Sequence, residues 1–413
     1  MGIELTDVSN ALQKVIMPFI QDNLPKHTIL LDQIKRNQGV TFMNDYFYAP
    51  VRTGRHGGVV NLANDGNSLV SGKSSIGQAN VGVKILTGTF DISKLAIDAT
   101  KSAKGAVENQ LTFQARTLAT DFGRSVNRQY HSDGIGVVSE FAGSAASALY
   151  VRYPSTSLDD ARSVFYGSIN GDISPTKFLA AGQNIAVGTG GLVAGTIVAV
   201  TGGTTCQVAA ASIAGTAGQA IYIRDGDNEG AGTSEIQGVR AALSTSTGTS
   251  LYAGLARSNV GWTPQVGTVA ETLTLSKMED KYLSAKEYSQ MGDRYAIFMN
   301  KTLYKKYGDL LTALRRTVNE TELLGGWTGL EFAAGAGKVG VCLDYDVTDG
   351  EVLIVNLDSF TVCQVSDMDW MEDPSGALVR RVDKITYQAT MVWFTNLLCL
   401  APGANGRLVQ KSG

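Results

Sequence analysis

Residues 45–136 constrain this chain more than any other stretch. Val107, Leu111, Ala115, Leu118, Phe122, Val126 and Tyr130 recur at spacings of three and four and draw one apolar stripe. The spacing predicts a helix over residues 103–131, about 43 Å long at about 1.5 Å per residue. Thr100 or Ser102 suits its N-cap, and Gly134 in Ser132-Asp133-Gly134 suits the left-handed position past its last turn. A rod with a single apolar face must lie across a sheet or another helix.

Ahead of it, residues 45–52 and 79–92 form the arms of a long extended hairpin. The tip between them, residues 53–78, holds six glycines and few large apolar side chains. Arg52, Arg55, His56 and Lys73 give it basic character and are candidates for subunit contact. Such a tip has no core of its own to fold onto, so its burial is expected on another chain.

The 413 residues suffice for two or three domains and a substantial core. Charged residues make up 18%, against about 25% in typical soluble domains, so neighbouring subunits are expected to cover much of the surface. Forty-seven glycines and only 8 prolines indicate many tight turns and β structure without Pro-rich linkers. The net charge is −3, from 35 basic and 38 acidic residues spread evenly, and no basic run marks a surface that grips nucleic acid. No apolar run reaches the roughly 18 residues of a membrane span, and no signal peptide is visible. Cys206, Cys342, Cys363 and Cys399 lack CxxC spacing and are expected as reduced, packed thiols in a cytoplasmic setting.

Along the chain, residues 1–44 are expected to form a mostly helical arm. Thr6 or Asp7 would cap its first helix, Pro18 would end it, and residues 27–36 would form a second with Leu30, Leu31 and Ile34 on one side. Residues 135–172 suggest a mixed connection, with helical character at 158–170. Residues 172–238 carry short apolar runs at 184–187, 196–200, 206–211 and 220–224 between glycine-rich turns, the pattern of a small antiparallel sandwich or barrel inserted in a larger domain. Helices are then expected over 273–291 and 301–317, and strands over 294–300, 338–343, 351–355, 359–368, 377–382 and 386–398. A tight turn is expected at Asp373-Pro374-Ser375-Gly376.

The motifs are weak. Gly335-Ala336-Gly337-Lys338-Val339-Gly340 matches GxGxxG but precedes a strand, where a dinucleotide site needs a strand before and a helix after. Residues 225–230 begin like a calcium loop, yet Ile236 stands where the bidentate Glu belongs. The acidic turn with Asp344, Asp346 and Asp349, and the group Asp367, Asp369, Glu372 and Asp373, would hold a divalent ion only if their oxygens converge. Asp344, Asp346 and Asp349 are also candidates for a subunit junction. His27, His56 and His131 lie in three separate elements, and His131 suits the C-terminal dipole of the long helix. There is no GxSxG, HExxH or Cys/His pairing, so nothing points to an enzyme, a cofactor or a resident metal.

Residues 45–136 resemble the major capsid proteins of tailed bacteriophages with the Hong Kong 97-like fold. The resemblance rests on Gly88-Thr89-Phe90-Asp91-Ile92-Ser93, on the 99–106 stretch ATKSAKGA, and on residues 118–131 (LATDFGRSVNRQYH) closing on Ser132-Asp133-Gly134-Ile135-Gly136. Later pieces agree in order: residues 251–257 (LYAGLAR), Trp327, Asp369-Trp370-Met371-Glu372, Asn396-Leu397-Leu398 and residues 402–408 (PGANGRL). The resemblance implies an α+β chain with an N-terminal arm (1–44), an extended loop (45–95) and a peripheral domain with a spine helix (96–134 and 366–413). It also implies an axial domain (135–365) carrying the β-rich insertion (172–238). Some relatives join subunits by a Lys–Asn isopeptide. Lys73 lies in the extended loop, but no partner Asn or Glu is identifiable. The helix start near 103 leaves no room for a long scaffolding segment ahead of it, so a separate scaffolding protein is expected.

The implied function is a structural shell protein, building hexamers and pentamers of an icosahedral phage head around double-stranded DNA without sequence-specific contact. Portal, scaffolding and decoration proteins are the implied partners, with no membrane; the virion capsid is the implied location, assembled in the host cytoplasm. Wide, moderate contacts and mild acidity suit a wall that confines DNA without binding it. The alternative is the shell of an encapsulin-type bacterial nanocompartment of the same fold. A hydrolase or carbohydrate-binding protein with a β accessory domain would need a catalytic constellation that is not visible.

Overall fold

The computed structural model describes residues 29–59, 61, 71–95, 106–145, 147–152, 175–188, 194–209, 213, 215–223, 235–244, 251–259, 261–313, 320–323, 327–334, 337–348, 350–371, 378–381 and 384–411. The expected first helix of the arm, the caps at Thr100 and Ser102, the helical stretch 158–170, the loop 225–230 and the turn 373–376 lie outside them.

One strand, Thr386–Cys399, organises the first sheet. One edge pairs over ten residues with Lys84–Ser93, from Thr386 opposite Ser93 to Thr395 opposite Lys84. The other edge takes Leu378–Arg380, Asp369–Trp370 and Phe360–Gln364 in succession, and the short strand Lys35–Arg36 joins the last of these in parallel. The long helix, Ala106–His131, crosses one face of this sheet. Its Phe122, Val126 and Tyr130 are buried in one core with Phe90, Met391 and Trp393. Period-two alternation leaves Ile85, Thr87, Thr89 and Asp91 exposed on the opposite face. The helix lies against Gly88, where an added Cβ would lie 2.9 Å from Leu118 Cδ1.

A seven-stranded mixed sheet forms the second body, in the order Gln265–Thr272, Gly406–Lys411, Glu351–Asn356, Tyr295–Met299, Gly337–Leu343, Trp327–Ala334, Glu320–Leu323. Helices Leu275–Glu287 and Lys301–Ala313 pack on one face, and Thr274 caps the first by accepting from Lys277 N–H at 3.4 Å. The strand Tyr295–Met299 is buried on both faces: Ile297 and Met299 face these helices, while Ala296 and Phe298 join the core of the first sheet. The GxGxxG stretch falls at a hairpin between Trp327–Ala334 and Gly337–Leu343, with no helix after it.

Several expectations are corrected. Of the described residues in the expected helix 27–36, Ile29–Gln33 is helical and Lys35–Arg36 is a strand. The arm is not helical at 41–43 either: Thr41–Met43 is a strand joined to Tyr46–Arg52 through Asn44 and Asp45, both at positive φ (49° and 62°), as a two-residue hairpin turn of the right twist requires. The arm expected at 79–92 is two strands, Ile76–Gly82 and Lys84–Ser93. Its inward positions explain the break: the buried Ala79 and Val81 are odd-numbered, whereas the half-buried Leu86 and Gly88 and the buried Phe90 are even-numbered, so the chain must change faces at Val83. The connection at 135–172 begins with two strands, Val137–Ala145 and Ala148–Arg152. With Asn184–Val187, Ala194–Gly202, Thr205–Val208 and Ala220–Ile223 they close a six-stranded barrel, so the β module starts well before residue 172. Its inward residues, including Phe141, Leu149, Ile185, Ile197, Cys206 and Ile221, form a separate core.

Candidate functional site: the extended hairpin and the long-helix junction

The hairpin pairs Tyr46–Arg52 with Ile76–Gly82 over seven residues, from Tyr46 opposite Gly82 to Arg52 opposite Ile76. One face, Phe47, Ala49, Val51, Ala79 and Val81, is buried in the core of its own subunit. The expectation of burial on another chain therefore does not extend from the tip to the arms: small and apolar residues at alternate positions let the ribbon lie on its own body. The outward face, with Met43, Tyr46, Pro50, Arg52, Ile76 and Gln78, is exposed, and Ile76 shows 74% of its surface.

The four basic candidates lie at the distal end. Arg52, Arg55, His56 and Lys73 are all exposed. Arg52 Nε donates to Gly54 O at 3.0 Å, and His56 Nδ1 accepts from Gly58 N–H at 3.1 Å, so each side chain fixes its own local turn. Thr53 and Ser75 close the ladder through their hydroxyls at 3.0 Å. Arg52 and Arg55 share a cleft of about 470 Å³ with Pro50, Val51, Trp262, Tyr288, Met291 and Leu400. The lining thus combines apolar side chains with two guanidinium groups.

The acidic candidates behave differently. Asp344 is buried, accepting from Asn127 Nδ2 at 3.1 Å and lying 3.0 Å from His131 Nε2. Asp346 is half-buried and accepts from the same Asn127 at 2.7 Å. Both therefore tie the long helix to the turn after Gly337–Leu343 within one subunit, and Asp344 is not at a subunit surface. Asp349 lies outside the described residues. Burial alone would raise the Asp344 carboxyl, but the adjacent His131 ring, the Asp346 N–H and Asn127 outweigh it and hold it below the usual carboxylate range. His131, expected to act only on the helix dipole, is a buried partner of this carboxylate.

Further ion pairs surround this junction. Arg128 forks onto Glu235, with Nη1 at 3.0 Å from Oε2. Arg240 reaches Asp133 at 3.3 Å and Glu351 at 3.7 Å, and Glu351 also meets Arg407 at 2.7 Å. Burial lowers Arg407 to about 10, so it stays charged at neutral pH. Sequence reasoning missed Asn127, Arg128, Glu235, Arg240, Glu351 and Arg407, because the partners stand far apart in sequence, 107 residues for Arg128 and Glu235.

Among the described residues no group of three or more His, Cys, Asp and Glu could hold a metal ion, and no helix is long and apolar enough to cross a membrane. All four cysteines are free and buried, and burial pushes Cys342, Cys363 and Cys399 up to about 12, far from a nucleophile's range. Asp367 is engaged by Arg36 and Gln364, at 3.3 and 2.8 Å, and Asp369 accepts from Trp370 N–H.

No family model matches the chain, and no curated protein is significantly similar to it in sequence. Solved structures are similar. The capsid subunit of cyanophage A-1(L) superposes with a TM-score of 0.52 at 11% identity, over 93% of this chain and 92% of that one. The capsid of a native GTA particle aligns at TM-score 0.44 and 11% identity, over 92% and 89% of the two chains. The SrpI encapsulin of Synechococcus elongatus aligns at 0.42 and 7%, over 92% and 86%. Across nearly its whole length the chain has the fold of a phage capsid subunit.

Proposed function

We propose that the chain is the major capsid protein of a tailed bacteriophage and self-assembles through hexamers and pentamers into an icosahedral head. The observation that carries this is the likeness in fold to the cyanophage A-1(L) capsid subunit, which spans 93% of this chain and 92% of that one. The exposed outer face and basic tip of the hairpin are assigned to contact with neighbouring copies. A scaffolding protein, a portal and a decoration protein are the further partners, and the packaged double-stranded DNA is enclosed without sequence-specific grip. The location is the virion capsid, with assembly in the host cytoplasm. No catalytic role is assigned.

Electron microscopy of the purified protein, expressed with and without a co-encoded scaffold, tests this. Closed shells or hexamer sheets are expected; a monodisperse monomer under every condition overturns it. Nucleic-acid staining of particles from infected cells separates a DNA-filled head from an encapsulin-type shell around protein cargo.

A further inference from the structure

We infer that the turn Tyr252-Ala253-Gly254-Leu255 is a clamp that fixes the tilt of the extended hairpin, with Asn80 and Gly254 as its positioning residues. The turn joins the strands Leu251–Tyr252 and Leu255–Ala256, and its central residues both sit at positive φ, Ala253 at 49° and Gly254 at 78°. Ala253 is unfavourable in that conformation, and such a backbone persists only where its surroundings over-determine it. They do so here. Tyr252 is buried, its hydroxyl accepts from Cys399 N–H at 3.0 Å, and its carbonyl accepts from the Trp262 indole at 3.0 Å. The Arg257 guanidinium lies 4.9 Å from the Tyr252 ring centroid and donates to the carbonyls of Ala241 and Ala242. The turn is thus rooted in the body on one side.

On its other side it grips the hairpin. Ala253 O accepts from Asn80 N–H at 2.9 Å, on the edge of Ile76–Gly82 that does not face Tyr46–Arg52. At Gly254 an added Cβ would lie 2.6 Å from Asn80 Oδ1, so the turn presses on the Asn80 side chain at a φ of 78° that favours glycine. Leu255 packs on Gly77, where an added Cβ would lie 2.9 Å from Leu255 Cδ2. At the base, Asn396 Nδ2 donates to Gly82 O at 2.6 Å. The strand is therefore held at Gly77, Asn80 and Gly82, and only Val83 separates it from the next strand. The basic tip begins directly beyond Gly77, so a small displacement at Asn80 swings Arg55, His56 and Lys73 through a larger arc. The consequence for assembly rests on the shell reading above.

The test uses the full chain. Amide exchange across residues 76–82 and trypsin cleavage after Arg52, Arg55 and Lys73 are measured on the unassembled subunit. Particle diameter is measured after assembly. Gly254→Val, with Gly254→Ala as the milder variant, should speed exchange at Asn80 about tenfold, as expected for loss of one protecting hydrogen bond. It should shift particle diameter or yield open sheets. Gly182→Val places the same positive-φ strain in the barrel, where nothing lies within 4 Å of the added Cβ, and should leave protection at Asn80 and particle diameter unchanged, which separates the clamp from a merely destabilised body. Unchanged exchange in both Gly254 variants overturns the clamp. Faster exchange with shells of wild-type diameter overturns its part in assembly. If the wild type forms no shells while exchange responds as expected, the shell reading fails and the clamp stands.

Discussion

Buried charges at the end of the long helix are paired within the subunit, and this decides how single substitutions should behave. Asp344 has its carboxyl depressed by folding, so it contributes stability above its unfolded value of about 3.9, and that contribution is lost as pH falls through the folded value. Asp344→Asn should therefore lower the melting temperature at neutral pH, and its gap to the wild type should close below about pH 4. A gap of equal size at both ends of an acid titration would show that the lost charge is not the cause. Arg407→Met removes one of the two guanidinium groups beside Glu351 and should cost about 3–5 kcal/mol in denaturant unfolding. Combining it with Glu351→Leu should recover part of that loss, because the buried carboxylate that has lost Arg407 goes too, while Arg240 keeps Asp133. At this scale the sequence was least legible: residue types such as Arg128 and Glu235 are visible, but nothing local says that they meet.

At the scale of elements, periodicity carried the information. The stripe Phe122, Val126, Tyr130 is the buried face of the long helix. Its depth on the sheet depends on Gly88, whose missing side chain admits Leu118 and Phe122. Gly88→Val should lift the helix and cost about 1–3 kcal/mol by overpacking, read as a drop in denaturation midpoint at constant slope. The break at Val83 was legible too, as the change of parity between Val81 and Leu86, but only once both faces are known to be buried. The two-residue turn at Asn44-Asp45 suits the left-handed conformation by residue type, whereas Ala253-Gly254 does not announce itself, since Ala there is held by tertiary contacts.

For the whole molecule, the barrel and the hairpin make separable predictions. Val137 and Tyr222, near the ends of the barrel, are paired neighbours, and its core is its own. Residues 137–223 expressed alone should unfold cooperatively with a β-type circular dichroism spectrum; a non-cooperative melt would show that the barrel depends on the body. Replacing residues 54–75 by Asn-Gly keeps the ladder of the hairpin but removes Arg55, His56 and Lys73. Because the buried face of the arms remains, the subunit should stay folded, with its melting temperature nearly unchanged, and shells should be lost. Normal shells from this variant would remove the tip from the assembly contacts.

The sequence by itself determined the long one-faced helix, the glycine-rich β module and the absence of any motif for catalysis, because period and composition are local properties. It also located the basic tip, with Arg52, Arg55, His56 and Lys73. Tertiary structure alone decided that the hairpin arms bury Phe47, Val51 and Val81 on their own body and that Asp344 turns inward to His131 and Asn127. Only the folded chain shows a second turn, at Ala253-Gly254, pressed against Asn80. These depend on which segments meet, and a one-dimensional pattern of polarity gives each segment a buried face without naming what covers it.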